Sequence, residues 1–215
     1  MIERVWEGAR EAKHLRSVIV ATDDDRIAEV CRGFGAEVVL TREDHPTGTD
    51  RIGEVALGLE DDIVVNVQGD EPLIEGFVID ACVEALQADA EAPMATAVHV
   101  LDPADAPDPN RVKVVLDRRD RALYFSRSPI PFVRDAAHAP LWQHIGLYAY
   151  RRQFLQTLSG LAPTPAERTE QLEQLRVLEH GYPIRCAIID GWHSVPVDVP
   201  EDVVLVEARL QGRPV

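Results

Sequence analysis

The chain has 215 residues, 46% of them hydrophobic, enough for a domain with a sizeable core and too many for a disordered segment. Lys and Arg number 22 against 37 Asp and Glu, and the net charge of −15 excludes a nonspecific nucleic-acid binder, whose phosphates would be repelled. No apolar run approaches a membrane span, no signal peptide precedes the first helical pattern, and Cys31, Cys82 and Cys186 are too scattered for a zinc or CxxC motif, so a cytoplasmic chain with small core cysteines is expected.

Ile2, Val5, Trp6 and Ala9 recur at helical spacing, so the chain opens directly in a helix. Ser17 to Ala21 reads as a strand, and Thr22-Asp23-Asp24-Asp25 as a loop and helix start. Ile27, Val30, Cys31 and Phe34 form the next helical stripe, ending near Gly35; Glu37 to Leu40 is a short strand. Arg42 to Gly48 is a polar loop, Thr49 to Leu59 a helix, Ile63 to Val67 a strand, and Glu75 to Gln87 a helix. This alternation predicts an α/β fold with a parallel sheet and right-handed crossovers. The middle differs: Ala95–Val100, Val112–Leu116, Ala122–Ser126 and Ile145–Tyr150 are strand-like, separated by Pro- or Arg-rich connections, and predict a β-rich insertion. The tail reads as a helix over Ala166–His180, a strand over Ile184–Asp190 and a helix over Pro200–Gln211, with Pro200 and Glu201-Asp202 suited to its first turn.

The apolar run Ile63-Val64-Val65-Asn66-Val67 stops abruptly at Gln68-Gly69-Asp70-Glu71-Pro72. A buried strand of an open α/β sheet ends this way when it delivers acidic residues to the ligand-binding edge. Two carboxylates there would suit Mg²⁺, and Mg²⁺ usually brings phosphates. The same residues also read as the polar part of an ordinary strand–helix loop. Thr22-Asp23 ends the first strand in the same manner, and Asp198 precedes Pro200, where it is either a second carboxylate for the metal or a helix-capping residue.

Several segments occur in a characteristic order: Val20-Ala21-Thr22-Asp23, Thr41 to Arg51, Val65 to Leu73, Tyr124-Phe125-Ser126-Arg127, His144 to Tyr150, Leu172 to Arg176, and Val197 to Asp202. Together they span nearly the whole chain and resemble the 3-deoxy-manno-octulosonate (Kdo) cytidylyltransferase, or CMP-Kdo synthetase, family. The resemblance implies a Rossmann-like nucleotidyltransferase three-layer α/β sandwich, a single domain over residues 1–215 with a β-rich substrate and dimerisation insertion at 101–150. It implies attack of the Kdo anomeric hydroxyl on the α-phosphorus of CTP, giving CMP-Kdo and pyrophosphate, with CTP and Kdo as the small-molecule partners. It assigns Asp70 and Asp198 to catalysis and to Mg²⁺, Thr47, Gly48, Arg51 and Gln68 to the nucleotide, and Arg127, His144, Tyr148 and Gln174 to the acidic sugar; Glu173 reads either as a residue orienting its neighbours or as a helix-surface charge. Arg127 suits a carboxylate because a guanidinium binds one in bidentate fashion. On the residues alone, Thr47-Gly48-Thr49 reads equally as a helix N-cap, and His144 and Tyr148, four apart on one strand face, as packing residues.

The resemblance also implies a homodimer through the middle region, where Phe125, Phe132, Trp142 and Tyr150 supply aromatic residues that would serve either an interface or the core. The alternatives are a cytidylyltransferase for a related acidic sugar such as 8-amino-Kdo, or a non-catalytic nucleotide- or sugar-binding homologue. The family pattern opens with a strand and a Gly-containing basic loop that grips the triphosphate. Here the match begins at the following helix, and the only lysines are Lys13 and Lys113. The first strand is therefore expected upstream of Met1, and residues 1–215 alone are expected to turn over CTP weakly or not at all. Burying about four aliphatic side chains of such a strand is worth roughly 6–12 kcal/mol, comparable with the ~5–15 kcal/mol net stability of a whole domain.

Overall fold

In the computed structural model, residues 1–135, 140–193, 195–197 and 199–211 are described. The chain divides into two compact units. The first comprises Met1–Asp61, Asn66–Asp80 and the segment from His193 onward; the second comprises Asp62–Val65 and Ala81–Trp192.

In the first unit, α1 (Ile2–Arg10) precedes β1 (Ile19–Thr22), α2 (Asp25–Gly33), β2 (Glu37–Leu40) and α3 (Gly48–Ala56). β1 and β2 pair in parallel from Ile19 opposite Glu37 to Thr22 opposite Leu40. Val20, Cys31 and Ala36 form the core beneath them, and Ile2, Trp6, Phe34 and Val38 pack against it. The helical stripe read in the sequence is thus the face that α1 buries. Asp24 caps α2 by accepting from the Arg26 amide at 2.8 Å. The Asp80 carboxylate closes the turn after α1 by accepting the Lys13 and His14 amides at 3.0 and 2.9 Å.

Two glycines fix α1 tightly. A Cβ on Gly8 would lie 2.1 Å from the Ile74 carbonyl oxygen, and one on Gly76 would lie 2.5 Å from the Ala12 nitrogen. Both distances are far inside van der Waals contact, so only glycine lets these backbones approach.

The strand β3 (Ile63–Val67) leads to α4 (Gly76–Ala88), in which Val78, Ile79, Cys82, Val83 and Leu86 are all buried. At about 1.5–3 kcal/mol per buried aliphatic side chain, α4 is among the most strongly held elements. The second unit carries β4 (Met94–Val100), a short 3₁₀ turn, β5 (Lys113–Leu116), β6 (Ala122–Ser126), β7 (Trp142–Arg151), α5 (Arg152–Ser159), α6 (Pro165–Glu170), α7 (Gln174–Glu179) and β8 (Ile184–Ile189). Its strands run in the order β6-β5-β7-β4-β8, and β3 pairs with β7. α8 (Pro200–Leu210) belongs to the first unit.

The expected parallel sheet is mixed. β4 is parallel to β8 but antiparallel to β7, and β5 is antiparallel to both β6 and β7. The segment 101–150 is the cause, since its β7 pairs antiparallel with β4 and its β5 and β6 extend the sheet beyond β7. Two further differences concern helices. α5 was not expected, although Phe154, Leu155 and Leu158 form its buried stripe. The single helix expected over 166–180 is two, because Gln171 takes a left-handed conformation (φ 54°, ψ 49°) that ends α6. The three cysteines are buried free thiols, as expected. Burial pushes the Cys82 thiol up to about 12, which suits an inert core residue. Phe125 and Tyr150 are core residues at 0% and 2% exposure, whereas Phe132 is 88% exposed.

Candidate active site

In the first unit, Thr47 is the N-cap of α3; its hydroxyl oxygen accepts the Asp50 amide at 3.1 Å and donates to Asp50 Oδ2 at 2.9 Å. Gly48 is the first helical residue and is exposed. The N-terminal end of α3 lies at this turn, an arrangement that favours an anionic ligand, so the capping role and a nucleotide role are compatible. Arg51, on the next turn, reaches the C-terminal edge of the β1–β2 pair. It forms an ion pair with Asp23 at 3.1 Å, donates to the Thr41 hydroxyl, and donates to the Arg42 carbonyl at 3.3 Å. Thr22-Asp23, visible in sequence only as a polar strand end, is therefore the anchor of Arg51.

The polar loop before α3 is held from the helix itself. The Glu54 carboxylate accepts the Arg42 amide at 3.2 Å and contacts His45 Nε2. The His45 contact, followed by the Arg42 amide, holds the Glu54 carboxyl below the usual carboxylate range. His45 had no partner pattern in the sequence, because its partner lies on the far side of the turn, on α3.

Gln68 and Asp70 follow β3 in the turn that the sequence placed at a ligand edge. The Glu71 amide donates to the Gln68 carbonyl at 3.4 Å, closing the turn, and Glu71 is 5% exposed while Asp70 is half-buried. The Val197 amide donates to the Asp70 carbonyl at 2.9 Å, which ties the 195–197 segment to this turn. Asp198 lies outside the described residues. Among the described residues, no group of three or more His, Cys, Asp and Glu side chains is spaced to hold a metal. Mg²⁺ needs only one or two carboxylates and keeps several waters, so the hard oxygen donor of Asp70 suits it.

In the second unit, His144 and Tyr148 share a face of β7. In a regular strand, residues four apart are ~13 Å distant, yet their ring centroids are 5.4 Å apart. A register shift accounts for this: Thr96 pairs with Tyr148 while Ala97 pairs with Ile145, so β7 bulges between them. Phe125 meets His144 edge-on at 5.2 Å. The Thr96 hydroxyl lies 2.8 Å from the Leu147 carbonyl and 2.9 Å from His144 Nε2. A hydroxyl has a single proton; with it on the carbonyl, Nε2 carries the imidazole hydrogen and Nδ1 is left as an acceptor. Burial lowers the His144 pKa to about 3, so the ring is neutral at pH 7. Burial raises the Tyr148 hydroxyl, and the negative charge of Glu173 raises it further. Tyr148 and the start of α7, where Gln174 is 5% exposed, thus belong to one neighbourhood.

Arg127, at the end of β6, donates from its guanidinium to the carbonyls of Glu170, Pro109 and Gln171 at 2.8, 3.0 and 3.4 Å. Lys113 is fully buried, with Nζ 2.8 Å from the Asp108 carbonyl and 2.6 Å from the Arg127 carbonyl; burial lowers its pKa. Neither Lys113 nor Glu170 carries a sequence signal for this role.

Comparison with known proteins decides the family. The profile of the cytidylyltransferase family matches residues 1–186. A 3-deoxy-manno-octulosonate cytidylyltransferase of Syntrophotalea carbinolica is 52% identical over 99% of this chain and 88% of the relative. The chain belongs to the 3-deoxy-manno-octulosonate cytidylyltransferase family. Its fold is accordingly the Rossmann-like nucleotidyltransferase α/β fold. The solved structure of a CMP:2-keto-3-deoxy-manno-octonic acid synthetase complexed with CTP matches with a TM-score of 0.93 at 40% identity, covering 98% of this chain and 87% of that one. An 8-amino-3,8-dideoxy-manno-octulosonate cytidylyltransferase of Shewanella pealeana is 49% identical over 98% of this chain and 87% of the relative. Membership makes the chain a nucleotidyltransferase. No helix among the described residues is long and apolar enough to cross a membrane.

Proposed function

We propose that this protein transfers CMP from CTP to the anomeric hydroxyl of Kdo, releasing pyrophosphate and giving CMP-Kdo for lipopolysaccharide synthesis. The observation that carries the reading is the near-complete match to the Syntrophotalea enzyme, supported by the match to a relative complexed with CTP. In this reading the α3 turn at Thr47 and Gly48 binds the nucleotide through its amides, Arg51 orients it, and Gln68 hydrogen-bonds its sugar or base. Asp70 and Asp198 would hold Mg²⁺, which when bound offsets charge on the phosphoryl oxygens and aligns the attack. Arg127 takes the Kdo carboxylate, and Gln174 hydrogen-bonds the sugar. His144, neutral with Nδ1 as acceptor, and Tyr148, protonated at working pH, supply an acceptor and a donor to sugar hydroxyls without adding charge.

The test is pyrophosphate release by the purified protein with CTP, Kdo and Mg²⁺, and its loss on chelation. Binding of CTP and Kdo with no release in any metal condition, even when the family's opening strand and basic loop are joined ahead of residue 1, would leave a non-catalytic homologue instead. The Shewanella pealeana relative favours running 8-amino-Kdo beside Kdo; faster turnover of the amino sugar would shift the assignment to that substrate. The reading includes a cytoplasmic homodimer formed through residues 101–150, where Leu123 and Phe132 are 59% and 88% exposed. A monomer mass by light scattering at micromolar concentration would remove the dimer.

A further inference from the structure

Arg127 is held at every polar position it has. Its amide donates to Glu170 Oε2 at 2.9 Å, and its carbonyl accepts from Lys113 Nζ at 2.6 Å. Its guanidinium is divided among the carbonyls of Glu170, Pro109 and Gln171. The Glu170 carboxylate also accepts from the Ser126 hydroxyl at 2.6 Å, so it grips both residues at the end of β6.

Each part of this cage has an unfavourable feature that the cage explains. Gln171 is a non-glycine residue at φ 54°, a conformation that costs energy. Its effect is to end α6 so that the last carbonyls of the helix, otherwise orphaned, receive the guanidinium. Lys113 is an ammonium at 0% exposure, which is costly. An apolar side chain would fill β5 as well; what the charge adds is a hold on the Asp108 and Arg127 carbonyls, next to the Pro109 contact. The guanidinium partners are all neutral carbonyls. They set its plane without cancelling its charge, and further N–H groups of the fork are left for a ligand.

We propose that Glu170 and Lys113 are positioning residues that fix Arg127 in the orientation in which it receives the carboxylate of the sugar substrate. This rests on the reading of Arg127 as the carboxylate-binding residue. Calorimetric titration of Kdo and, separately, of CTP into the parent protein and the variants Glu170→Gln, Lys113→Met and Arg127→Ala tests it, with the thermal midpoint recorded for each. Glu170→Gln is expected to weaken Kdo roughly ten-fold, as loss of a charge-assisted bond would, with CTP changed by less than about two-fold. Lys113→Met should do the same if it folds, and Glu170→Gln alone carries the test if it does not. Arg127→Ala weakening Kdo while Glu170→Gln leaves it unchanged would overturn the positioning role. Equal weakening of both ligands with a lowered midpoint would overturn it too, as a merely structural effect. Kdo affinity unchanged in Arg127→Ala would instead remove the underlying reading of Arg127, and the proposal with it.

Discussion

Arg51 in the first unit and Arg127 in the second are both expected to meet an anionic ligand, and both are already engaged, but by different chemistry. Arg51 is pinned by a carboxylate, Asp23, with help from a hydroxyl and one carbonyl. The Arg127 guanidinium is pinned by carbonyls, and the Glu170 carboxylate takes the backbone amide instead. A carboxylate orients a guanidinium and also offsets its charge, whereas a carbonyl orients it and leaves the charge in place. Arg127 is therefore the better electrostatic anchor. In the proposed reading, a triphosphate at the first unit would call for further positive charge, which a divalent ion at Asp70 would supply.

The comparison can be broken in order of effect. Asp70→Asn should lower turnover on the order of 10²–10³-fold, the usual worth of a lost transition-state electrostatic contact, read as pyrophosphate release at saturating Mg²⁺. Arg127→Ala should weaken Kdo by more than about ten-fold, as loss of a bidentate charge-assisted pair does. Arg51→Ala should weaken CTP by only about five-fold, because its charge is already offset by Asp23. An Arg51 effect equal to that of Arg127 would end the distinction.

Smaller effects sharpen it through stability. The His144 pKa is depressed to about 3 in the folded chain against about 6.5 unfolded. Below pH 6.5 the unfolded state therefore binds a proton that the folded state does not. Stability is fully present above about 6.5 and falls through the window down to about 3. Between pH 6.5 and 5 the loss should be roughly 1–2 kcal/mol, and His144→Gln should flatten that part of a denaturation-versus-pH series. Thr47→Ala should cost only about 1 kcal/mol, the worth of an N-cap, measured by urea denaturation.

Local pattern carried much of the fold. β2 and β6 fall at the residues expected, and the α1 stripe is the face that packs; of the stripe expected on α2, Cys31 and Phe34 pack while Ile27 and Val30 are exposed. The break at Gln171 was hidden because no glycine marks it; the left-handed residue is a glutamine held by tertiary contacts with Arg127. α5 carried a legible stripe that its position directly after a long strand obscured. Ligand-facing residues were nameable through the family order, but their supports were not. Asp23 lies 28 positions from Arg51, and Glu170 lies 43 from Arg127. Such pairings follow from the closed fold rather than from any spacing along the chain. The short His144–Tyr148 distance was equally hidden, since a bulge is set by the partner strand.

The contact of Gly8 with the Ile74 carbonyl, and of Gly76 with Ala12, makes α1 and the chain just after Asp70 a keyed pair. Neither side chain can be enlarged without parting the two backbones, so the helix can neither slide nor roll by small steps. A fusion partner or surface attachment joined at Met1 would therefore pull on the Asp70 turn as directly as on the helix. Anyone tethering this protein should expect turnover, before stability, to report the strain.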